Sequence, residues 1–329
     1  MNKLLIIGGS NFIGRNLVEY LLDSDEFEIT LFNRGKTNPG LFPSVRHIIG
    51  DRNSNDVRRL RETDWDYVID LSCYFPNSLQ EILDVLPASV KRYVFISTCS
   101  VYDNTVDQSI LRNESAPTLP CSHFERTDEG TATYGNRKAE CERILAKSGV
   151  PHTILRPSLV YGKYDTTDRL YYWLHQVATK PELLLPNGGT SRFSVTYVHD
   201  LVRAIVKSIY EPTGNQTFNV TTIPEFSIRQ LVSLVQSVLS TNPTLINGSP
   251  DFLHSQKIAQ WTDMPLWLDC DYYTYANTKV VNDLGLHLTE PRTSIMETIA
   301  FYESLEWPTP TFGLDEAKRQ SLLNKLKAA

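Results

Sequence analysis

The sequence predicts an α/β protein: a doubly wound parallel sheet in the first half of the chain, with a smaller mixed α/β C-terminal domain for substrate. Three observations predict it. An apolar run, Leu4 to Ile7, passes directly into Gly8-Gly9 and then into helical spacing. Short apolar runs ending in polar or glycine residues recur through the next 150 or so positions. The sixth of them leaves through Arg156-Pro157, where proline holds its predecessor extended and stops a helix.

The first element, KLLIIGGSNFIG (Lys3 to Gly14), reads as a strand buried on both faces, a glycine turn and a helix carrying Phe12, Ile13, Leu17, Val18, Leu21 and Leu22. A helix N-terminus offers unpaired N–H groups and the positive end of the macrodipole, and glycine lets a pyrophosphate approach the backbone. A bare glycine pattern can be mere tight packing. Its position after a strand, before a helix and ahead of a second strand makes it a dinucleotide site of the Rossmann type, with Gly8, Ser10, Asn11, Phe12, Ile13 and Gly14 as the phosphate-binding set. Asn11 occupies the usual middle glycine, where its tolerance of left-handed backbone is expected to keep the turn.

EITLFNRGK (Glu28 to Lys36) is the second strand and a turn. An acidic residue there would bind the ribose of NAD; Asn33 stands instead, beside Arg34 and Lys36, so NADP is the expected cofactor, with NAD as the other possibility. VRHIIGD (Val45 to Asp51) is the third strand, delivering Asp51 toward an adenine amino group, and DYVIDLS (Asp66 to Ser72) is the fourth, delivering Leu71 and Ser72, followed by Cys73, to the same crevice. A short helix fits between them. The fifth strand, KRYVFISTCSVY, runs into a polar cluster, and a long irregular stretch to Glu129 follows.

The next helix begins near Thr131 and carries Tyr134 and Lys138 four apart, on one face, where an ammonium can favour the ionised phenol. The pattern is cheap, and Tyr275 to Lys279 is a second copy. Only the first follows a strand ending in Ser97-Thr98. VPHTILRPSLVYG is the sixth strand. A helix starts at Thr166-Thr167-Asp168; its aromatic face, with Trp173, is chiefly core. Asn187 to Glu211 gives a turn, a strand begun by Arg192, and a helix capped by Asp200, with His199 structural; TFNVT returns a last strand to the sheet. From Pro224 the chain reads as helical and aromatic, ending in a charged helix. The domains expected are residues 1–160 for NAD(P), with 188–222 returning to it, and 161–187 with 223–329 for substrate.

Composition narrows the class. With 329 residues, 41 % hydrophobic, and a net charge of −6, a general nucleic-acid or anionic-membrane surface is not expected. No run reaches the roughly 20 apolar residues of a membrane span, and a cytoplasmic location is expected. Cys73, Cys99, Cys121, Cys141 and Cys270 lack CxxC spacing, so neither a metal site nor a disulfide framework is indicated.

Taken together, GGSNFIG, the Gly50-Asp51 strand end, FISTCSVY, YGNRK, LRPSLVYG and the YVHD junction, in this order, resemble the extended (atypical) short-chain dehydrogenase/reductase superfamily, of the NAD(P)-dependent epimerase/dehydratase type. The resemblance implies that Thr98 holds the reacting oxygen, with Ser97 its neighbouring candidate, that Tyr134 is the acid/base, and that Lys138 lowers its pKa and holds the nicotinamide ribose. Asn11 and the Asn33-Arg34 pair resemble a divergent branch that includes chloroplast stem-loop-binding relatives; TTDRLYYW and MPLW resemble uncharacterised bacterial oxidoreductases. Cys99 and Ser100 stand where dehydratases carry an Asp-Glu pair, which argues against 4,6-dehydration. The implied function is hydride transfer at a hydroxyl or carbonyl carbon of a small molecule, with a nucleotide sugar among the candidates; Tyr102, Asp165, Asp168, Arg169, Trp173 and Arg192 are the candidates for the substrate side. The alternative is a non-catalytic NADP(H)-sensing or RNA-binding protein. A monomer or homodimer is expected.

Overall fold

The structure, a computed structural model, describes residues 1–210, 214–268 and 272–328; Cys270 lies outside them. The chain forms β1 (Asn2–Ile7), α1 (Phe12–Leu22), β2 (Phe27–Asn33), β3 (Arg46–Ile49), β4 (Tyr67–Asp70), α2 (Pro76–Val85), β5 (Arg92–Ile96), α3 (Tyr134–Lys147) and β6 (His152–Pro157). There follow β7 (Leu159–Tyr161), α4 (Arg169–Thr179), β8 (Glu182–Pro186), β9 (Arg192–Tyr197), α5 (Val198–Ile209) and β10 (Gln216–Val220). The remainder is β11 (Ile223–Ser227), α6 (Ile228–Leu239), β12 (Thr244–Gly248), α7 (Pro250–Ser255), β13 (Tyr272–Tyr273), α8 (Thr278–Asn282), α9 (Pro291–Glu303) and α10 (Glu316–Ala328).

Two compact units result. The first comprises Met1–Ser158, Val198–Thr221 and Ala276–Leu288; the second comprises Leu159–Tyr197, Thr222–Tyr275 and Thr289–Ala329. In the first, seven parallel strands take the order β10-β6-β5-β4-β1-β2-β3. Strand order reverses between β1 and β4, and the carboxyl ends on either side of that reversal are where a doubly wound sheet binds its ligand. The apolar run of β1 is sealed, with Leu4, Leu5, Ile6 and Ile7 all buried, each worth about 1.5–3 kcal/mol. On one face of the sheet Leu5, Ile7, Val68 and Phe95 pack with Leu79, Ile82 and Val85 of α2 and Cys141 and Leu145 of α3.

The second unit holds a four-stranded sheet in which β9 pairs with β7, β11 and β13, and a parallel pair, β8 with β12. The segment read as one sixth strand is therefore two: β6 stays in the large sheet, and beyond Pro157 β7 joins β9 in the other. Among the described residues, strand β9, expected with the first domain, takes its partners from the second unit, whereas α8 lies in the first. Three strands, β11 to β13, interrupt the region expected to be helical. The helix expected between the third and fourth strands is a 3₁₀ segment, Asn55–Glu62. Among the described residues no helix is long and apolar enough to cross a membrane.

Candidate active site

The turn after β1 places its strain on glycine. Gly8 (φ 116°) and Gly9 (φ 98°) adopt backbone that side chains rarely accept. A Cβ on Gly14 would stand 2.6 Å from the Cα of Gly9, so α1 lies backbone against backbone on the turn. Asn11 is extended at φ −130°, not left-handed as expected, and so needs no glycine-like freedom. Its side chain makes no capping bond, which leaves the first-turn N–H groups of α1 beside Ser10, Phe12 and Ile13 uncapped. This cradle, with backbone donors and no Cβ at its closest point, fits a dinucleotide pyrophosphate.

Around it, Asn33 ends β2 with its Oδ1 accepting from the Gly35 N–H at 2.8 Å, and Arg34 projects exposed from the same turn. Asn38 Nδ2 donates to the Ser10 carbonyl at 2.8 Å, tying that loop to the glycine turn. Asp51 follows β3; its Oδ1 accepts from Asn53 N–H at 2.9 Å, shaping a local turn. At the end of β4, Leu71 approaches the Gly8 position, and the Ser72 hydroxyl donates to the Ile7 carbonyl at 3.4 Å.

Thr98 caps a 3₁₀ turn, Cys99–Val101, its Oγ1 accepting from Ser100 N–H. Tyr134 opens α3. The next residue, Gly135, is what lets the two meet, because a Cβ there would collide with the Ser100 carbonyl oxygen. Lys138 is buried, its ammonium 2.9 Å from the Cys73 carbonyl, 2.7 Å from the Ile96 carbonyl and 4.1 Å from the centre of the Phe95 ring. The strand ends of β4 and β5 thus fix the lysine one helical turn after Tyr134. Tyr74, half exposed, sets its ring 6.1 Å from that of Tyr134. The second Tyr–Lys copy shares no helical face, since Tyr275 precedes the start of α8.

Behind these groups lies a buried polar network. Ser97 Oγ donates to Glu142 at 2.5 Å, and Glu142 accepts twice from Arg156, at 2.5 and 3.0 Å. Arg156 also donates to the Tyr102 hydroxyl at 2.9 Å, which donates to Asn219 at 2.5 Å. Tyr102, expected on the substrate side, is 2 % exposed and committed to this network; burial pushes its phenol well above the usual range against the opposing charge of Arg156. A second buried pair joins Arg52 to Asp70 at 2.6 and 3.0 Å, with the Tyr93 hydroxyl on Asp70 at 2.7 Å. Burial works against the Asp70 carboxylate, but Arg52 outweighs it and holds its pKa below the ordinary value.

In the second unit, Arg192 pairs with Glu225 at 2.8 Å across β9 and β11, an exposed ion pair. Asp168, left-handed at φ 51°, precedes α4 and accepts from the backbone and hydroxyl of Thr311 at 2.9 and 2.7 Å. Arg169 lies 4.7 Å over the Trp261 ring. Trp173 is core, its indole donating to the Pro265 carbonyl at 2.7 Å, and Asp165 is buried, with its carboxyl pushed up to about 6 mainly by desolvation. In the first unit, Asp200 lies inside the first turn of α5, paired with Arg203, rather than capping the helix.

Residues 4–221, which hold the glycine turn, the β5 end and α3, match the NAD dependent epimerase/dehydratase family. The chain belongs to that family. Among its relatives, a chloroplast stem-loop binding protein of 41 kDa from Arabidopsis thaliana is 26 % identical over 234 residues, which are 66 % of this chain and 58 % of that protein. An uncharacterised UDP-glucose epimerase of Bacillus subtilis is 25 % identical over 276 residues, 74 % of this chain and 84 % of the relative. In fold, the chain is similar to a UDP-glucuronic acid 4-epimerase from Bacillus cereus solved with NAD, with a TM-score of 0.70, 18 % identity and coverage of 93 % and 100 %. For this member of the epimerase/dehydratase family, sequence reasoning missed Gly135, Glu142 and Tyr74. Glu142 carried a signal, standing four residues after Lys138 on the same side of α3; the other two depend on contacts distant in sequence.

Proposed function

We propose that the chain is an NADP-dependent oxidoreductase or epimerase acting at a hydroxyl or carbonyl carbon of a small molecule of the nucleotide-sugar class. The observation that carries the reading is the seating of α3: Gly135 presses its first turn on the Thr98 turn while Lys138 is anchored at the ends of β4 and β5. The substrate class is supported by the sugar-nucleotide names of the Bacillus subtilis relative and the Bacillus cereus fold neighbour.

In this reading the turn from Gly8 through Ser10, Asn11, Phe12 and Ile13 to Gly14 holds the pyrophosphate, Asp51 the adenine, and Leu71 and Ser72 the face above β4. Asn33 brings no charge against a ribose 2′-phosphate, and Arg34 supplies paired donors to it. The bound nicotinamide supplies the carbon that gives and takes hydride. Tyr134 moves the proton of the reacting hydroxyl, and Thr98, half-buried and donating to the Ser100 hydroxyl at 3.2 Å until substrate takes that place, steadies the oxygen, Ser97 being held by Glu142. Two of the three Lys138 donors serve backbone carbonyls; the third is left for the ribose.

The test is NADPH consumption or product isomerisation with a panel of nucleotide sugars and carbonyl compounds, in wild type and Tyr134→Phe. Turnover lost in the variant with NADPH binding retained supports the reading; full activity in the variant overturns it. The stem-loop-binding relative favours RNA binding as a second reading, which would show as submicromolar, salt-dependent RNA affinity.

A further inference from the structure

Two cysteines 68 residues apart in sequence meet beneath the candidate cofactor site. Cys73, just past β4, and Cys141, on α3, place their sulfurs 3.8 Å apart, both buried. We infer that Cys73 and Cys141 form a dithiol that a hydroperoxide oxidises to a disulfide, a modification site coupled to Lys138.

The coupling is geometric. The Cys73 carbonyl is one of the two acceptors that hold the Lys138 ammonium, and Cys141 lies three residues beyond Lys138 on the same helix. A disulfide needs the sulfurs at about 2.05 Å, so closing the gap draws the Cys73 backbone toward α3 and disturbs the acceptor beneath the lysine. Cys73 is 1 % exposed but sits between the half-buried Ser72 and the half-exposed Tyr74, so its oxidation requires only that this strand end open.

The two sulfurs are unequal. Burial opposes ionisation of Cys73, but the thiol of Cys141 and the cations of Arg52 and Lys138 outweigh it and hold Cys73 below the ordinary thiol value. Cys141 is pushed well up, first by that same contact and then by burial. Cys99 is pushed up by burial and donates to the Arg156 carbonyl; Cys121 is pushed up by burial too. Among the described residues, then, Cys73 is the nucleophile and Cys141 its resolving partner. The Cys73 thiolate attacks one peroxide oxygen; the O–O bond breaks, its electron pair leaving with the other oxygen, and Cys73 becomes a sulfenic acid. The sulfur of Cys141 then attacks Cys73, losing its proton, and the hydroxyl leaves as water. The thiols lose two electrons and the peroxide gains them: hydrogen peroxide gives two waters, an organic hydroperoxide one water and its alcohol.

The cross-link stands apart from the proposed enzymatic activity; its effect on Lys138 rests on that reading. The full chain is treated with hydrogen peroxide and its mass and peptides are mapped, with NADPH binding titrated before, after, and after dithiothreitol. Expected are a loss of two hydrogens, a Cys73–Cys141 linked peptide abolished by Cys141→Ser and retained in Cys121→Ser, and NADPH binding weakened by about tenfold, the worth of one charge-assisted hydrogen bond, and restored by reduction. Absence of the linked peptide in wild type, or first oxidation at another cysteine, overturns the site whatever the variants do. The link without a change in NADPH affinity overturns the coupling to Lys138. A reduced chain that binds no NADPH counts against the proposed function and leaves the cross-link result standing.

Discussion

Glu142 and Arg156 form a buried ion pair at 2.5 Å, and Ser97 completes the carboxylate's coordination from the end of β5. One partner lies on the helix of Tyr134 and Lys138; the other lies on the neighbouring strand. Removing one partner strands a charge away from water, so Glu142→Gln is expected to lower stability by about 3–5 kcal/mol. Replacing both with apolar residues, Glu142→Leu with Arg156→Met, should recover most of that loss. Denaturant unfolding of the two variants beside the unaltered chain checks both outcomes.

Gly135→Ala tests whether contact between α3 and the Thr98 turn matters for chemistry rather than for folding alone. The added methyl meets the Ser100 carbonyl and, at 2.8 Å, Leu119, so Tyr134 must shift. A misplacement of this kind is expected to cost about a hundredfold in kcat/KM. Unchanged turnover in a well-folded variant would count against the contact.

Arg34→Ser should weaken NADPH binding by about tenfold while leaving NADH within about twofold, since only the 2′-phosphate loses its donors. Fluorescence titration of both nucleotides decides it. Equal losses would sink the NADP preference.

Asp165 gives a pH dependence of definite sign. Its carboxyl is pushed up to about 6 by burial, against an ordinary value of 3.8. Between those values the folded chain binds more protons than the unfolded one, so this group's contribution to stability falls as pH rises through the window, by up to about 3 kcal/mol. Asp165→Asn keeps an oxygen for Thr167 N–H and should flatten that part of the stability curve; melting temperatures from pH 4 to 7 measure it.

How much of this was legible depended on how local the cause was. The strand, turn and helix from Lys3 to Gly14 could be read because burial on both faces, glycine and helical spacing all act within twenty-odd residues. Thr98, Tyr134 and Lys138 could be named as candidates, but the two carbonyls that hold Lys138 come from residues 42 and 65 positions away. Helix α2 went unread although Pro76 opens it and Leu79, Ile82 and Val85 line one side, because so short an apolar pattern between two strands carries little signal. Strand β12 pairs with β8 some sixty residues earlier, and a polar-flanked pentapeptide does not announce a partner that distant. The residue type of Asn11 suggests left-handed backbone, while in the structure it is extended.

The chain passes between its two units five times, at 158/159, 197/198, 221/222, 275/276 and 288/289. Neither unit is therefore a continuous piece of the gene. A fragment cut after residue 158 would carry six of the seven strands of the large sheet but not β10, leaving the edge of β6 from His152 to Pro157 without its partner Gln216–Val220. An open parallel edge invites pairing between molecules. Such a fragment is expected to aggregate, and any domain-exchange chimera made from this protein has to move all three pieces of a unit together.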